Sequence, residues 1–209
     1  MAQEPNDATP FLPDRRSLKA LREAAMGCRG CHLWRPATQT VFGEGSPRAR
    51  LMLVGEQPGD REDRAGEPFV GPAGRELDRG LEEAGIERRD AYVTNVVKHF
   101  KFEERGKRRI HQTPKRFEID ACTPWLEAEL EAVAPDALVL LGASAAKALL
   151  GSSFRVTQHR GELLESELAP IVAATIHPSA ILRAPDDASR QAERLAFAED
   201  LAVVRRALG

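Results

Sequence analysis

The side chains best suited to reactive chemistry in this sequence sit in a few short stretches. Three histidines, His99, His111 and His177, lie near expected loop ends. A neutral imidazole, its usual state near pH 7, is a competent nucleophile or base. His111 closes the run GKRRIH, in which Lys107, Arg108 and Arg109 form a basic loop. Such a run is either solvated or phosphate-facing. His111 then either extends the patch or is the reactive group that the patch brings to a phosphodiester. A second stretch, GEQPGD, concentrates Glu56, Gln57 and Asp60 in a Gly/Pro turn. Its exposed backbone N–H groups suit an anion or a base edge. It lacks the lysine of a phosphate loop and the glycine spacing of a dinucleotide fingerprint. The bland reading is a structural loop with exposed acids. Phe69, between Pro and Gly residues, suits stacking on a flat ligand and equally an ordinary core position. Cys28 and Cys31 form a lone CxxC, and Cys122 lies far downstream. Three thiolates need a fourth ligand for an ordinary iron–sulfur or zinc site. Spacing alone neither selects one of the three histidines nor decides between iron and zinc. Each histidine also has a plain reading as a solvated loop residue or a satisfied core imidazole.

The elements that must position these groups alternate. Residues 15–27 have helical spacing, and 50–55 (RLMLVG) form a short apolar run ended by glycine, as a buried strand does. A long loop is expected over 56–72 and a helix over 73–84 with Gly85 at its end. Residues 91–97 read as a β-branched second strand, and 103–114 as a polar loop. A helix over 116–133, a strand over 137–141 and a helix over 144–150 with Ser144 as its N-cap follow. Residues 171–176 make a fourth strand that runs into His177-Pro178-Ser179, and 187–208 a final helix. Strands alternating with helices imply parallel pairing and right-handed crossovers. The expected fold is α/β, a three-layer α/β/α sandwich around a short parallel sheet. Ligands in such folds sit beyond the carboxyl ends of the strands. Those ends carry GEQPG, residues 95–99, GAS and HPS, and this convergence argues for an enzyme.

Composition bounds the rest. The 209 residues suffice for one core, with residues 1–14 as a flexible tail and 15–209 as a single domain. A net charge of −2 argues against nonspecific coating of nucleic acid but leaves room for a local basic patch. No apolar run is long enough for a bilayer, and residues 1–14 have no signal-peptide core, so a cytoplasmic protein is expected. Three cysteines in a reducing compartment favour metal binding or free thiols over disulfides. Nothing marks a self-complementary surface, and a monomer is the default expectation.

The order GEQPGD, PFVGPAG, YVTNVVKHF, KRRIH and HPSAILR resembles the uracil-DNA glycosylase superfamily. Within it the sequence is most similar to the iron–sulfur branch, and there to the family X members that bind uracil-DNA covalently. The likeness runs from Cys28 to Arg183. It implies the sandwich fold already inferred, uracil-containing DNA as partner, preferentially single-stranded, and a [4Fe–4S] cluster. It places Glu56 and Gln57 in the catalytic loop, with Gly55 and Asp60 beside the uracil. It implies that Phe69 stacks on the flipped base, Asn95 reads its edge, and His177 stabilises charge on uracil O2. Cys28, Cys31 and Cys122 match three cluster ligands. Where related iron–sulfur glycosylases have a cysteine after VVK, this chain has His99, which the family X likeness makes the fourth ligand. Lys107, Arg108, Arg109 and Ser179 are assigned to DNA, Arg109 holding either the loop or a phosphate.

The same resemblance implies that His111 attacks C1′ of the sugar, with Glu56 accepting the other ring N–H, so that turnover stops after one event. Three rivals remain at this level. One is a turnover glycosylase using water. Another is a noncatalytic module for uracil-containing or single-stranded DNA. The third is a zinc-binding α/β protein with an unrelated ligand.

Overall fold

Alternation along each strand sorts this chain into two cores. In a computed structural model, which describes residues 6–209, the first strand β1 (Leu51–Gly55) turns Met52 and Val54 to one face and Leu51 and Leu53 to the other. The next strands in the sheet are β2 (Ala91–Asn95), β5 (Ala137–Leu141) and β7 (Ile171–Thr175), and β1, β2 and β5 are buried throughout. Burial on both faces explains their unbroken apolar runs. The order is β2-β1-β5-β7, all parallel, with the short strand β6 (Leu163–Leu164) antiparallel on the β7 edge. The sheet is therefore five-stranded and mixed rather than purely parallel. Two-residue β6 carries too little pattern to read from the sequence.

One face is covered by α1 (Leu18–Ala25) and α4 (Arg116–Val133), whose Leu21, Ala25, Trp125 and Leu126 meet Met52, Val54 and Tyr92. The other is covered by α3 (Pro72–Glu83), α7 (Pro178–Leu182) and α8 (Asp187–Leu208), through Leu77, Leu81, Ile181, Phe197 and Leu201. The three-layer α/β/α sandwich follows directly. The helix α5 (Ala143–Leu150) leaves the end of β5, and the single turn α6 (Val156–His159) precedes β6. No helix among the described residues is long and apolar enough to cross a membrane.

Four local expectations are corrected. Residues 56–72 are not a continuous loop, because Asp60–Ala65 form a helical turn, α2. Its sequence DREDRA has no apolar period, but Asp60, Glu62 and Asp63 in the first turn suit the positive end of the helix dipole. The polar stretch after β2 contains a hairpin of β3 (Phe102–Arg105) and β4 (Arg108–His111), closed by Gly106-Lys107. Ser144 is not the N-cap of α5; that position is Gly142. Residues 8–12 are not a loose tail. Ala8 is buried, its N–H donates to Ala121 O (2.8 Å), and Phe11 and Leu12 pack on the core. This segment passes so close to Gly30 that any Cβ there would strike the backbone of Asp7 and Ala8. Residues 1–5 of the expected tail lie outside the described residues.

Candidate active site

The carboxyl ends of β1, β2, β5 and β7 open into a cavity of about 810 Å³, lined among others by Glu56, Phe69, Asn95, His111, Ser144 and His177. β1 ends at Gly55, so the chain turns there and delivers Glu56 and Gln57 to the cavity floor. A side chain at Gly55 would collide with Asn95 Oδ1 and the Phe69 ring. Absence of a Cβ at this point lets the ends of β1 and β2 and the Phe69 loop crowd together. Phe69 has φ of 58°, a costly value for a bulky residue. The loop is clamped by the buried Glu62 of α2, whose Oε1 accepts the Gly71 N–H at 2.7 Å. The Phe69 and His177 rings face one another with centroids 6.0 Å apart at 29°.

His111 reaches the cavity from the hairpin. Alternation along β4 places Arg109 and His111 on one face and Arg108 on the other. Arg109 is turned inward, with its side chain only 13% exposed. It pairs with Asp60, donates to Asp63 (2.6 Å), Thr38 Oγ1 (3.1 Å) and Asp60 O (3.2 Å), and lies over the Phe100 and Phe102 rings. Of the two roles expected for Arg109, these contacts fit holding the loop, because they fasten the hairpin to α2 and to Thr38. Lys107 and Arg108 remain exposed at the hairpin tip.

Anchored in this way, the hairpin brings His111 Nε2 to 3.1 Å from Glu56 Oε1. The contact is close but poorly aligned, since Glu56 Oε1 is buried with no well-directed donor. Ser144 Oγ donates to the other oxygen. Burial pushes the Glu56 carboxyl up, but the close His111 imidazole, the hydrogen bond from Ser144 and the field of His177 together more than offset this. The net effect keeps Glu56 ionised. The His111 side chain is 49% exposed, so it stands between the carboxylate and the cavity mouth.

His177 ends β7 and begins α7. Its Nδ1 accepts the Ser179 N–H (3.1 Å), so the proton of the neutral ring resides on Nε2. Burial pushes its pKa down to about 4 against the pull of Glu56. At neutral pH His177 is therefore an uncharged N–H donor. Ser179 Oγ lies 2.8 Å from Nδ1 and accepts from Arg183 (2.9 Å), which ties its hydroxyl to the histidine. Asn95 Oδ1 is buried without a partner at the cavity wall. The Gln57 amide, in contrast, is fully engaged. It donates to Lys101 O (3.3 Å) and Gln112 O (3.0 Å) and accepts from Lys101 N–H (2.9 Å). Asp60 lines the cavity and pairs with Arg64 and Arg109.

The three cysteines are free thiols grouped between α1, the following loop and α4. Trp125 Nε1–H donates to Cys28 Sγ (3.2 Å) and the Lys98 N–H to Cys122 Sγ (3.3 Å). Burial raises the Cys31 pKa, and it pushes Cys122 up to about 12; repulsion from Cys28 adds to both shifts. Buried, mutually repelling sulfurs that accept N–H donors are a donor set suited to a cationic iron–sulfur centre. No three His, Cys, Asp or Glu among the described residues converge as the ligands of a single metal ion do; a cluster distributes its ligands over several irons. His99 is buried and its pKa falls to about 4 through burial. The Thr40 hydroxyl donates to Ala25 O (2.9 Å), so its 3.0 Å contact with His99 Nε2 uses the ring's proton. The Nδ1 lone pair is then left available to a metal. Ala25 O also accepts the Cys28 N–H, which ties His99 to the cysteine loop.

Sequence reasoning missed several contributors. Ser144 was visible in GAS at a strand end but was expected to cap a helix. Asp63 and Thr38 gave no signal, because their role depends on Arg109 46 and 71 residues away. Lys98, inside VVKHF, is fully buried and pairs with the buried Glu129.

The sequence model of the uracil DNA glycosylase superfamily matches residues 42–202. The chain is similar to the type-4 uracil-DNA glycosylase of Sulfurisphaera tokodaii, 37% identical over 180 residues that cover 81% of this chain and 78% of that protein. It is 35% identical to the type-4 uracil-DNA glycosylase of Pyrobaculum aerophilum over 89% of this chain and 92% of that one. With the type-4 uracil-DNA glycosylase of Thermotoga maritima it shares 38% identity over 79% of this chain and 83% of the relative.

Proposed function

The chain belongs to the uracil DNA glycosylase superfamily, and on that premise we propose that it excises uracil from DNA and captures the resulting sugar on His111. The observation that carries the second half is His111 Nε2, 3.1 Å from the ionised Glu56 at the mouth of the strand-end cavity. A flipped uracil entering this cavity meets Phe69 for stacking, the unpaired Asn95 Oδ1 as an acceptor, and the His177 N–H as a donor. As the C1′–N1 bond breaks, its electron pair goes to the uracil ring. A neutral donor already fixed by Ser179 stabilises that anion without reorganising. The positive character at C1′ is met by a lone pair of His111, forming a C1′–N bond, while the proton on the other ring nitrogen is held by Glu56. With His111 in the path of water, the adduct has no route to hydrolysis.

The chemistry of Cys28, Cys31, Cys122 and His99 supports a [4Fe–4S] cluster that would bind the loop after α1 to α4 and the end of β2 and take no part in bond cleavage. Iron and sulfide content of the purified protein separates this from a zinc site.

The test of the capture is a uracil-containing single strand mixed with protein and run on a denaturing gel. A band shift that survives heat and detergent is expected, and it should vanish in His111→Ser. Free abasic DNA with no shifted band would refute capture but keep excision. Binding without release of uracil would leave only the noncatalytic reading.

A further inference from the structure

We propose that the loop carrying Cys28 and Cys31, together with the start of α4, is a stacking platform for the single strand that flanks the excised base; this rests on the DNA reading above. Phe117 is 56% exposed in the first turn of α4. The imidazole of His32 stacks on it, with centroids 5.8 Å apart at 30°. In the same short loop, Arg29 lies 4.9 Å and Arg35 5.8 Å from the centre of the Trp34 ring. Arg29, His32, Arg35 and Lys115 are all exposed. A chain with net charge −2 thus gathers two flat-ring stacks and several cationic groups on one surface.

A buried carboxylate serves to shape this surface. Glu118 is buried, and it accepts from Lys101 (2.8 Å) and sits 3.2 Å from His32 Nε2, which orients the imidazole over Phe117. The same Lys101 donates to Thr113 O (3.3 Å), and Thr113 lines the cavity. Phe117 is four residues further along the chain from that rim residue, in the first turn of α4. Exposed rings interleaved with cations fit a polyanion with accessible base faces, which a single strand offers and a stacked duplex does not.

The test compares single-turnover excision on two strands carrying one uracil, one of about five and one of about twenty nucleotides. Trp34→Ala/Phe117→Ala should raise the half-saturating concentration on the long strand roughly ten-fold or more. The short strand and the maximal rate on both should be unchanged. Equal weakening on both strands, or no change on either, would overturn the platform. Because Trp34 is half-buried, Arg29→Ser/Lys115→Ser provides a second arm. It should lower the salt slope for binding a long uracil-free strand by about 1.4, as expected for two lost phosphate contacts. An unchanged slope overturns the proposal as well. If the unaltered protein releases no uracil from either strand, the glycosylase reading fails, while the salt slope still decides the platform.

Discussion

Lys98 offers the sharpest test of how the fold supports the site. Its ammonium is 1% exposed and pairs with Glu129, also fully buried. It further donates to Thr94 Oγ1 (2.8 Å) and to the backbone carbonyl of Asn95 (2.6 Å). Glu129 in turn accepts from Tyr92 (2.8 Å), Thr94 (3.0 Å) and the Gly43 N–H (3.0 Å). Lys98→Met keeps most of the volume and removes the charge, leaving a buried carboxylate without its counterion. Breaking a buried pair from one side costs about 3–5 kcal/mol. In a chain of this size each kcal/mol moves Tm by about 2–4 °C, so a drop of about 6–20 °C is expected. Lys98→Met/Glu129→Leu should lose much less than the sum of the single variants, because the uncompensated charge is gone. Excision by Lys98→Met should also slow, since the Asn95 carbonyl loses its anchor. Thermal unfolding followed by circular dichroism gives the stabilities, and released uracil gives the rate. A Tm within about 2 °C of the parent for Lys98→Met would refute the reasoning.

Asn95 should separate stability from function. Its Oδ1 is buried without a partner, so Asn95→Ala should leave Tm unchanged or slightly higher while uracil release falls about ten- to hundred-fold. Arg109→Ala should reduce adduct yield on the denaturing gel more than it reduces uracil release, because it frees the hairpin and leaves the strand ends intact; equal losses would contradict that division. His177 has a folded pKa depressed to about 4 against about 6.5 unfolded. The unfolded chain therefore binds the extra proton between these values, and stability is full above about pH 6.5 and declines as pH falls toward 4. Its contribution lost at pH 5 is about 1–2 kcal/mol, discounted for the ring edge in contact with solvent. Urea midpoints at pH 5 and pH 7 should differ less in His177→Asn than in the parent.

The central sheet was legible because continuous apolar runs ending at Gly55 and Gly142 announce buried strands and the turns that follow them. His177 was legible for the same reason, at the end of 171–176. The hairpin was not. Its residues 103–111 bury little apolar surface, and its main fastening is Arg109 to Asp60 and Asp63, 49 and 46 positions away. Charge runs of this kind read as solvated until tertiary partners are known. Lys98 was missed, and the two roles open to Arg109 could not be separated, because a lone cation carries no periodic signal of burial. The N-terminal segment was misread for a related cause, since Ala8 docks through one backbone hydrogen bond and a close pass over Gly30 rather than through an amphipathic pattern.

The hairpin is a two-stranded addition between β2 and α4, whereas Phe69, Asn95 and His177 stand on or beside the sheet ends. In the proposed reading, recognition of the base and retention of the sugar are therefore mounted on separate supports, joined mainly by the Arg109 clasp and by the Gln57 amide at the hairpin's base. A lineage can acquire, lose or retune retention by editing about ten surface residues while the recognition pocket stays intact. In a laboratory setting, the same division makes the hairpin a transplantable graft, provided Asp60 and Asp63 travel with it.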